Sequence, residues 1–303
     1  MAKTQNNTFS PAVEAWEARG EYRQLSGQQI FTLDLPPLGE AKYEPLLILH
    51  GALTSSFDYH SLVDQLRRHR RVLLLDLLGH GLSAKPDLSY TIGVHADIIA
   101  AFIDSLQIRR LSLLTHDMSN TVGGELLARQ MEGRWTVEVT QRVITNGSIY
   151  IEMAHLTEGQ QRLLSLPDER LSVGLLDQAS MRAFFARAFS PASRVDPQEL
   201  SAMVALIFYH DGDLLLPRLI RFIEERQRNQ SRFTGAIEAH PAPLTIVWGT
   251  DDPIAVTAMA SRLHEAHPQS NLTVLEGVGH FLMIEAPEQF LAVVSNALEE
   301  GAA

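Results

Sequence analysis

Residues Leu111-Ser-Leu-Leu-Thr-His-Asp-Met-Ser-Asn-Thr-Val-Gly-Gly-Glu-Leu-Leu127 decide how the rest of the chain is read. An apolar run ends at Thr115, and a helical pattern takes over a few residues later with no linker between them. Thr115 and Ser119 stand two before and two after Asp117. A sharp strand-to-helix turn needs small residues at those two places, so that the central side chain projects from the carboxyl edge of a sheet. Asp117 thus occupies the place of a nucleophile. The other use of Asp after a strand is as a helix N-cap. Ser119 is the serine on this turn, but its own flanks two residues away, Asp117 and Thr121, are not the small pair the turn requires.

Working outward, short apolar runs alternate with helical stretches, the signature of repeated βαβ units in an α/β protein. Strands are expected at Pro45 to Leu49, Arg71 to Asp76, Arg110 to Thr115, Gln141 to Asn146, Leu244 to Trp248 and Asn271 to Glu276. Tyr22 to Leu25 and Gln29 to Leu33, around Ser26-Gly27, read as an antiparallel hairpin at the sheet edge. Helices are expected at Ile92 to Leu106, Thr121 to Gln130, Val256 to Ala266 and Pro287 to Glu299. Between Asn146 and Leu244 the pattern is helical throughout (Glu158 to Leu166, Met181 to Ala188, Pro197 to Ile207, Leu214 to Gln227), which predicts a cap inserted into the sheet domain. His240-Pro-Ala-Pro243 marks the return. The expected division is a core of residues 1–148 and 241–303 with a cap of residues 149–240.

Three other strand ends carry polar residues. His50-Gly51-Ala52 follows one strand, and the Ala52 amide, with that of Met118, is placed to face a developing oxyanion. Trp248-Gly-Thr-Asp-Asp-Pro253 and Gly279-His280 follow two more, so Asp117, Asp252 and His280 run in the order nucleophile, acid, histidine. Taken singly, Asp252 is equally a turn residue before Pro253, and His280 a packed or solvated loop histidine.

The ordered set His50-Gly51, Asp76-Leu-Leu-Gly-His-Gly-Leu-Ser83, His116-Asp-Met-Ser119, Gly249-Thr-Asp-Asp252 and Gly279-His280 resembles the epoxide hydrolase and haloalkane dehalogenase branch of the α/β-hydrolase superfamily, over nearly the whole chain. Ile144-Thr-Asn-Gly-Ser-Ile-Tyr-Ile-Glu152, Asp211-Gly-Asp213 and Phe222-Ile-Glu-Glu-Arg226 also resemble a subgroup that includes the mesoderm-specific transcript proteins. The resemblance implies an α/β-hydrolase fold, with a mostly parallel eight-stranded sheet flanked by helices and an inserted helical cap. It also implies hydrolysis of an epoxide to a vicinal diol. Asp117 would form an alkyl ester, and His280, oriented by Asp252, would direct water at its carbonyl. No cofactor and no metal are required. In such epoxide hydrolases cap tyrosines meet the opening ring oxygen, and Tyr150 and Tyr209 are the two tyrosines in or beside the cap. Dehalogenases typically place Trp after the nucleophile, where this chain has Met118, and neither Trp16, Trp135 nor Trp248 is an evident halide ligand. Two departures stand out. Leu53 replaces the usual proline two after His-Gly, and Ser119 the usual glycine two after the nucleophile. The alternatives are a dehalogenase or another aspartate-nucleophile hydrolase, and a non-catalytic binder of an apolar ligand.

Composition narrows the partners. A net charge of -11, with no concentrated basic patch, argues against nucleic acid and against anionic membrane surfaces. The absence of cysteine leaves no disulfide or thiolate site, which favours a cytoplasmic protein. Met1 to Phe9 is polar, and no apolar run reaches the roughly 20 residues a membrane helix needs. The sequons at Asn6, Asn146, Asn229 and Asn271 are then chance matches. Expected partners are a small apolar epoxide and water, and a homodimer is compatible with the sequence.

Overall fold

The computed structural model describes residues 9–300. Eight strands form one sheet in the order β1-β2-β4-β3-β5-β6-β7-β8: β1 (Glu21–Leu25), β2 (Gln28–Leu35), β3 (Leu46–Leu49), β4 (Val72–Leu75), β5 (Arg110–His116), β6 (Glu138–Thr145), β7 (Leu244–Gly249) and β8 (Asn271–Leu275). β1 pairs antiparallel with β2, and β2 with β4, whereas β3 through β8 pair in parallel. The hairpin is therefore at the edge, as the Ser26-Gly27 turn predicts; both turn residues have positive φ. Strands β3, β4 and β7 are buried along their entire length, which is why β3 and β4 read as unbroken Leu, Ile and Val runs, and β7 as a mostly apolar one, rather than as alternations.

The helices are α1 (Pro11–Glu17), α2 (Val63–Leu66), α3 (Ile92–Ser105), α4 (Met118–Met131), α5 (Glu158–Leu164), α6 (Gln178–Ala186), α7 (Pro197–Phe208), α8 (Leu216–Leu219), α9 (Phe222–Arg228), α10 (Gln230–Ala239), α11 (Thr257–Ala266), α12 (Leu282–Glu285) and α13 (Pro287–Glu300). Apolar clusters fill both sheet faces. One includes Ile99, Phe102, Val122, Leu126 and Met259; the other includes Phe57, Val63, Leu114, Phe290 and Val294. Each such side chain contributes about 1.5–3 kcal/mol relative to exposure.

The inserted segment departs from its expected course twice. The single helix expected at Leu214 to Gln227 is two, α8 and α9, and the stretch before it is broken where His210 (φ 51°) and Asp211 (φ 58°) adopt left-handed backbone. The span 197–228 is long and apolar enough to cross a membrane by composition, but it folds as these separate helices, with half of its most apolar window buried. Secondly, α10 packs directly on α4. A Cβ on Gly124 would lie 2.5 Å from the Phe233 carbonyl oxygen, so a glycine lets the two backbones meet. α10 therefore lies in the layer beside the sheet, although the expected boundary at residue 240 places it in the cap.

The return into the sheet is held by Arg142 of β6, which is buried. Its guanidinium donates to the carbonyls of Ile237 (2.6 Å), His240 (2.8 Å) and Ala242 (2.7 Å). Carbonyl groups that Pro241 and Pro243 would otherwise leave at an irregular bend are thus satisfied.

Candidate active site

Asp117 lies between β5 and α4 with φ 51° and ψ -118°, a backbone geometry that a non-glycine residue adopts only under constraint from its surroundings. The constraints are visible. Its N–H donates to the Asn146 carbonyl at 2.8 Å, and its carbonyl accepts from Asn120 N at 3.0 Å. Gly147 presses on it so closely that a Cβ there would lie 2.7 Å from the Asp117 Cα. Asp117 makes no side-chain capping bond to α4. Instead its Oδ2 accepts from Ala52 N at 2.9 Å, so the helix-cap alternative gives way to a carboxylate turned to the opposite loop.

That loop explains the sequence motifs around it. Asp76 accepts from Ser56 N (2.8 Å) and Leu82 N (2.7 Å), tying the segment after β3 to the segment after β4. His50 accepts from Leu77 N at 2.9 Å. These groups hold Ala52 in place rather than facing substrate. Leu53 has φ 60°, which a proline ring fixed near -65° cannot reach. The loop therefore takes a turn closed to the proline of the resembling enzymes, and still aims the Ala52 amide at Asp117. Met118 opens α4, so its N–H has no carbonyl a turn earlier to bond within the helix. Ser119 is fully buried and donates its hydroxyl to the His50 carbonyl. It is structural, and its substitution for glycine serves that bond.

His280 and Asp252 meet as the chain order predicts: Nδ1 of His280 lies 2.8 Å from Oδ2 of Asp252. Asp252 also accepts from Asn146 Nδ2 (2.6 Å), Ile254 N (2.7 Å) and Ala255 N (3.0 Å). Burial pulls the His280 imidazole down, but the charge and hydrogen bond of Asp252, with Asp117 and Glu285 behind them, override it and raise it to about 9. Asp117 and His280 line one cavity of about 440 Å³, together with Ala52, Leu53 and Pro253 of the core and Leu163, Phe184, Phe185 and Phe222 of the inserted segment. A second cavity of about 360 Å³ shares Leu53, Leu163, Phe184 and Arg187 with it and continues outward between α5 and α6.

The tyrosines do not join this arrangement. Tyr150 is buried and donates to Glu238 Oε1 at 2.7 Å, with Arg262 over its ring at 4.0 Å. The Tyr209 ring stacks on His210 at 3.9 Å and packs against Phe9 at 5.0 Å. Neither lines the cavity, so both are withdrawn as oxygen donors; sequence placed them in the right segment but not on the right face. Trp248 donates its ring N–H to the Ala255 carbonyl at 2.8 Å, away from the cavity.

Two supporting residues escaped the sequence reading. Asn146, which carries a sequon, is fully buried: Nδ2 reaches Asp252 and the Gly279 carbonyl (3.2 Å), while Oδ1 accepts from Gly249 N at 2.9 Å. A strand-end Asn beside the elbow was the available signal. Glu285 accepts from Gly279 N (3.0 Å) and Ser190 N (2.9 Å), fixing the turn before His280 against the segment after α6. No signal in the sequence announced it. Among the described residues no cluster of His, Asp or Glu is arranged to hold a metal ion.

The sequence profile of the alpha/beta hydrolase family matches residues 46–293. LipZ of Mycobacterium tuberculosis is 33% identical over 290 residues, covering 95% of this chain and 99% of that protein. The mouse mesoderm-specific transcript protein is 31% identical over 294 residues, covering 93% of this chain and 87% of that one. In fold, the chain is similar to an alpha/beta hydrolase fold protein from Burkholderia ambifaria (TM-score 0.71, 23% identity, 91% and 97% covered). It is likewise similar to an enol-lactonase from Burkholderia xenovorans (TM-score 0.72, 19% identity, 92% and 99% covered).

Proposed function

We propose, from the premise that the chain belongs to the alpha/beta hydrolase family, that it hydrolyses an apolar epoxide to a diol through an alkyl ester on Asp117. The observation that carries this reading is a carboxylate, not a hydroxyl, on the strained turn beside a His–Asp pair. A carboxylate attacks an ester or amide poorly but displaces well at a saturated carbon bearing a strained ring.

The charges support a two-step cycle. Asp117 Oδ2 is engaged by Ala52 N, which leaves Oδ1 to attack. With the tyrosines elsewhere, His280, raised to about 9 and on the same cavity, is the proton donor at neutral pH. Oδ1 bonds to the ring carbon, the C–O bond breaks, and the alkoxide takes the His280 Nε2 proton. Asp117 is then neutral as an ester and His280 neutral as an imidazole. That loss of negative charge removes one of the groups that held the proton on His280, so the same ring becomes a base. It takes a proton from water, which attacks the ester carbonyl, and the Ala52 and Met118 amides face the oxyanion. Collapse frees the diol and restores the Asp117 carboxylate and His280 imidazolium. The aromatic lining and its outward extension support an elongated apolar substrate.

The test is one turnover with a long-chain terminal epoxide in ¹⁸O-water. Label on the Asp117 peptide and unlabelled diol support the ester. Labelled diol with an unlabelled peptide overturns it, since water would then have attacked the epoxide directly. Parallel assays with nitrophenyl esters and bromoalkanes read the other hydrolase chemistries.

A further inference from the structure

Arg226 of α9 is 2% exposed, among the most completely enclosed charges in the protein. Its Nε donates to Thr121 Oγ1 at 2.7 Å, its Nη1 donates to the Ser148 carbonyl, and its guanidinium lies 5.1 Å over the Phe222 ring. These contacts surround the candidate nucleophile. Thr121 is one helical turn beyond Asp117 on α4; Ser148 follows Gly147, the residue pressed against the Asp117 Cα; Phe222 lines the cavity that holds Asp117. The Nη2 group is buried and donates to nothing among the described residues.

Arg142 shows what a buried guanidinium does when its task is structural: each of its three nitrogens is used, all on carbonyls of one bend. Arg226 leaves a nitrogen unused and has no carboxylate in ion-pair contact among the described residues. A buried charge without such a partner is costly, and it persists where another group gains from it. Burial pulls Arg226 down to about 10, and the group that pushes it back is Asp117.

We propose that Arg226 is a positioning residue for the Asp117 reaction: its enclosed fork ties Thr121 on α4 to Ser148 after β6, and so holds the strained turn from both sides in the geometry from which Asp117 attacks. The proposal rests on Asp117 being the nucleophile.

The experiment compares wild type, Arg226→Lys and Arg226→Met, measuring the first-order rate of Asp117 ester formation over a range of terminal-epoxide concentrations, with thermal stability alongside. Arg226→Lys keeps the charge but not the planar fork, so both variants are expected to lower the limiting rate about 10- to 100-fold, with the half-saturating concentration little changed. The proposal is overturned if folded Arg226→Lys forms the ester at the wild-type rate, or if either variant loses melting temperature while its limiting rate stays in place. Should Arg226→Met not fold, the Lys rate decides alone. The Asp117 carboxyl ¹³C chemical shift, assigned by its loss in Asp117→Asn, reads the geometry of the turn without turnover. That signal therefore separates failure of this proposal from failure of the nucleophile reading: an unmoved signal in the variants overturns the positioning role, and a moved signal without any ester in wild type upholds it while the epoxide reading falls.

Discussion

Asp252 at the end of the sheet accepts from two backbone amides, Asn146 and His280, whereas α5 in the inserted segment has no buried residue at all, and its side chains line the cavity from outside. The two regions face each other across the same space. One is fixed atom by atom through groups that have lost their water; the other is laid on through aromatic contact, as where Phe185 stacks on Phe281 at 6.0 Å. On the proposed function, chemistry resides in the rigid half and choice of substrate in the adaptable half.

The sharpest way to test this contrast is Asp117→Ala. It is expected to abolish turnover, by about 10⁵-fold or more, while losing no side-chain bond to its own helix and keeping the same positive-φ backbone; melting by circular dichroism should stay within a few degrees of wild type. Unfolding together with loss of activity would show the turn to be structural first.

Acid is the next largest perturbation, and it falls on the core. Burial lowers His50, His80 and His95 from 6.5 to about 3 each. Their folded values lie below their unfolded ones, so they cost nothing above pH 6.5 and the protein loses stability as pH falls from there toward 3. At pH 5 the loss is about 2 kcal/mol for each histidine. His280 has the opposite sign: raised to about 9, it contributes fully below pH 6.5 and less as pH rises through 9. Thermal melts from pH 4 to 10 should therefore peak near neutrality and fall more steeply on the acid side; a flat profile down to pH 4 would mean that these histidines are wetter than the structure shows.

Asn146→Ala probes the rigid half at lower cost. It removes a partner from Asp252 and leaves the Gly249 amide unsatisfied, so kcat should fall about 10- to 100-fold and stability by about 1–3 kcal/mol, read by steady-state kinetics and urea unfolding. Smallest of all, Phe184→Ala should raise KM about 5- to 10-fold for long substrates but not for short ones, with kcat and melting temperature nearly unchanged, because the residue lies at the junction of the two cavities. If kcat collapsed instead, the cap would be part of the catalytic machinery and the contrast would be wrong.

The same contrast governed what the sequence could say. Buried parallel strands are almost continuously apolar, so β3, β4 and β7 stood out, and the elbow was legible because a strained turn tolerates few residues beside Asp117. The supporting shell was not. Asn146 acts on Asp252, 106 residues away, and Glu285 on Ser190, 95 residues away, and such pairing has no local pattern. The tyrosines misled because residue type places a group in a segment, whereas facing the cavity depends on helix packing. α10 went unread because its sequence, with Thr234 and Gly235, has weak helical propensity, and its stability comes from α4.

Arg142 carries a further consequence. Its carbonyl partners lie 95 to 100 residues downstream, and β7 joins β6 only beyond them. On a ribosome, a chain that has emerged through the inserted segment possesses the elbow but neither Asp252 nor His280, so it holds an inert carboxylate. On the proposed mechanism, competence waits for Asp252 and His280, after Arg142 has gathered the bend. Products that stop short of His280 would then be silent rather than partly active.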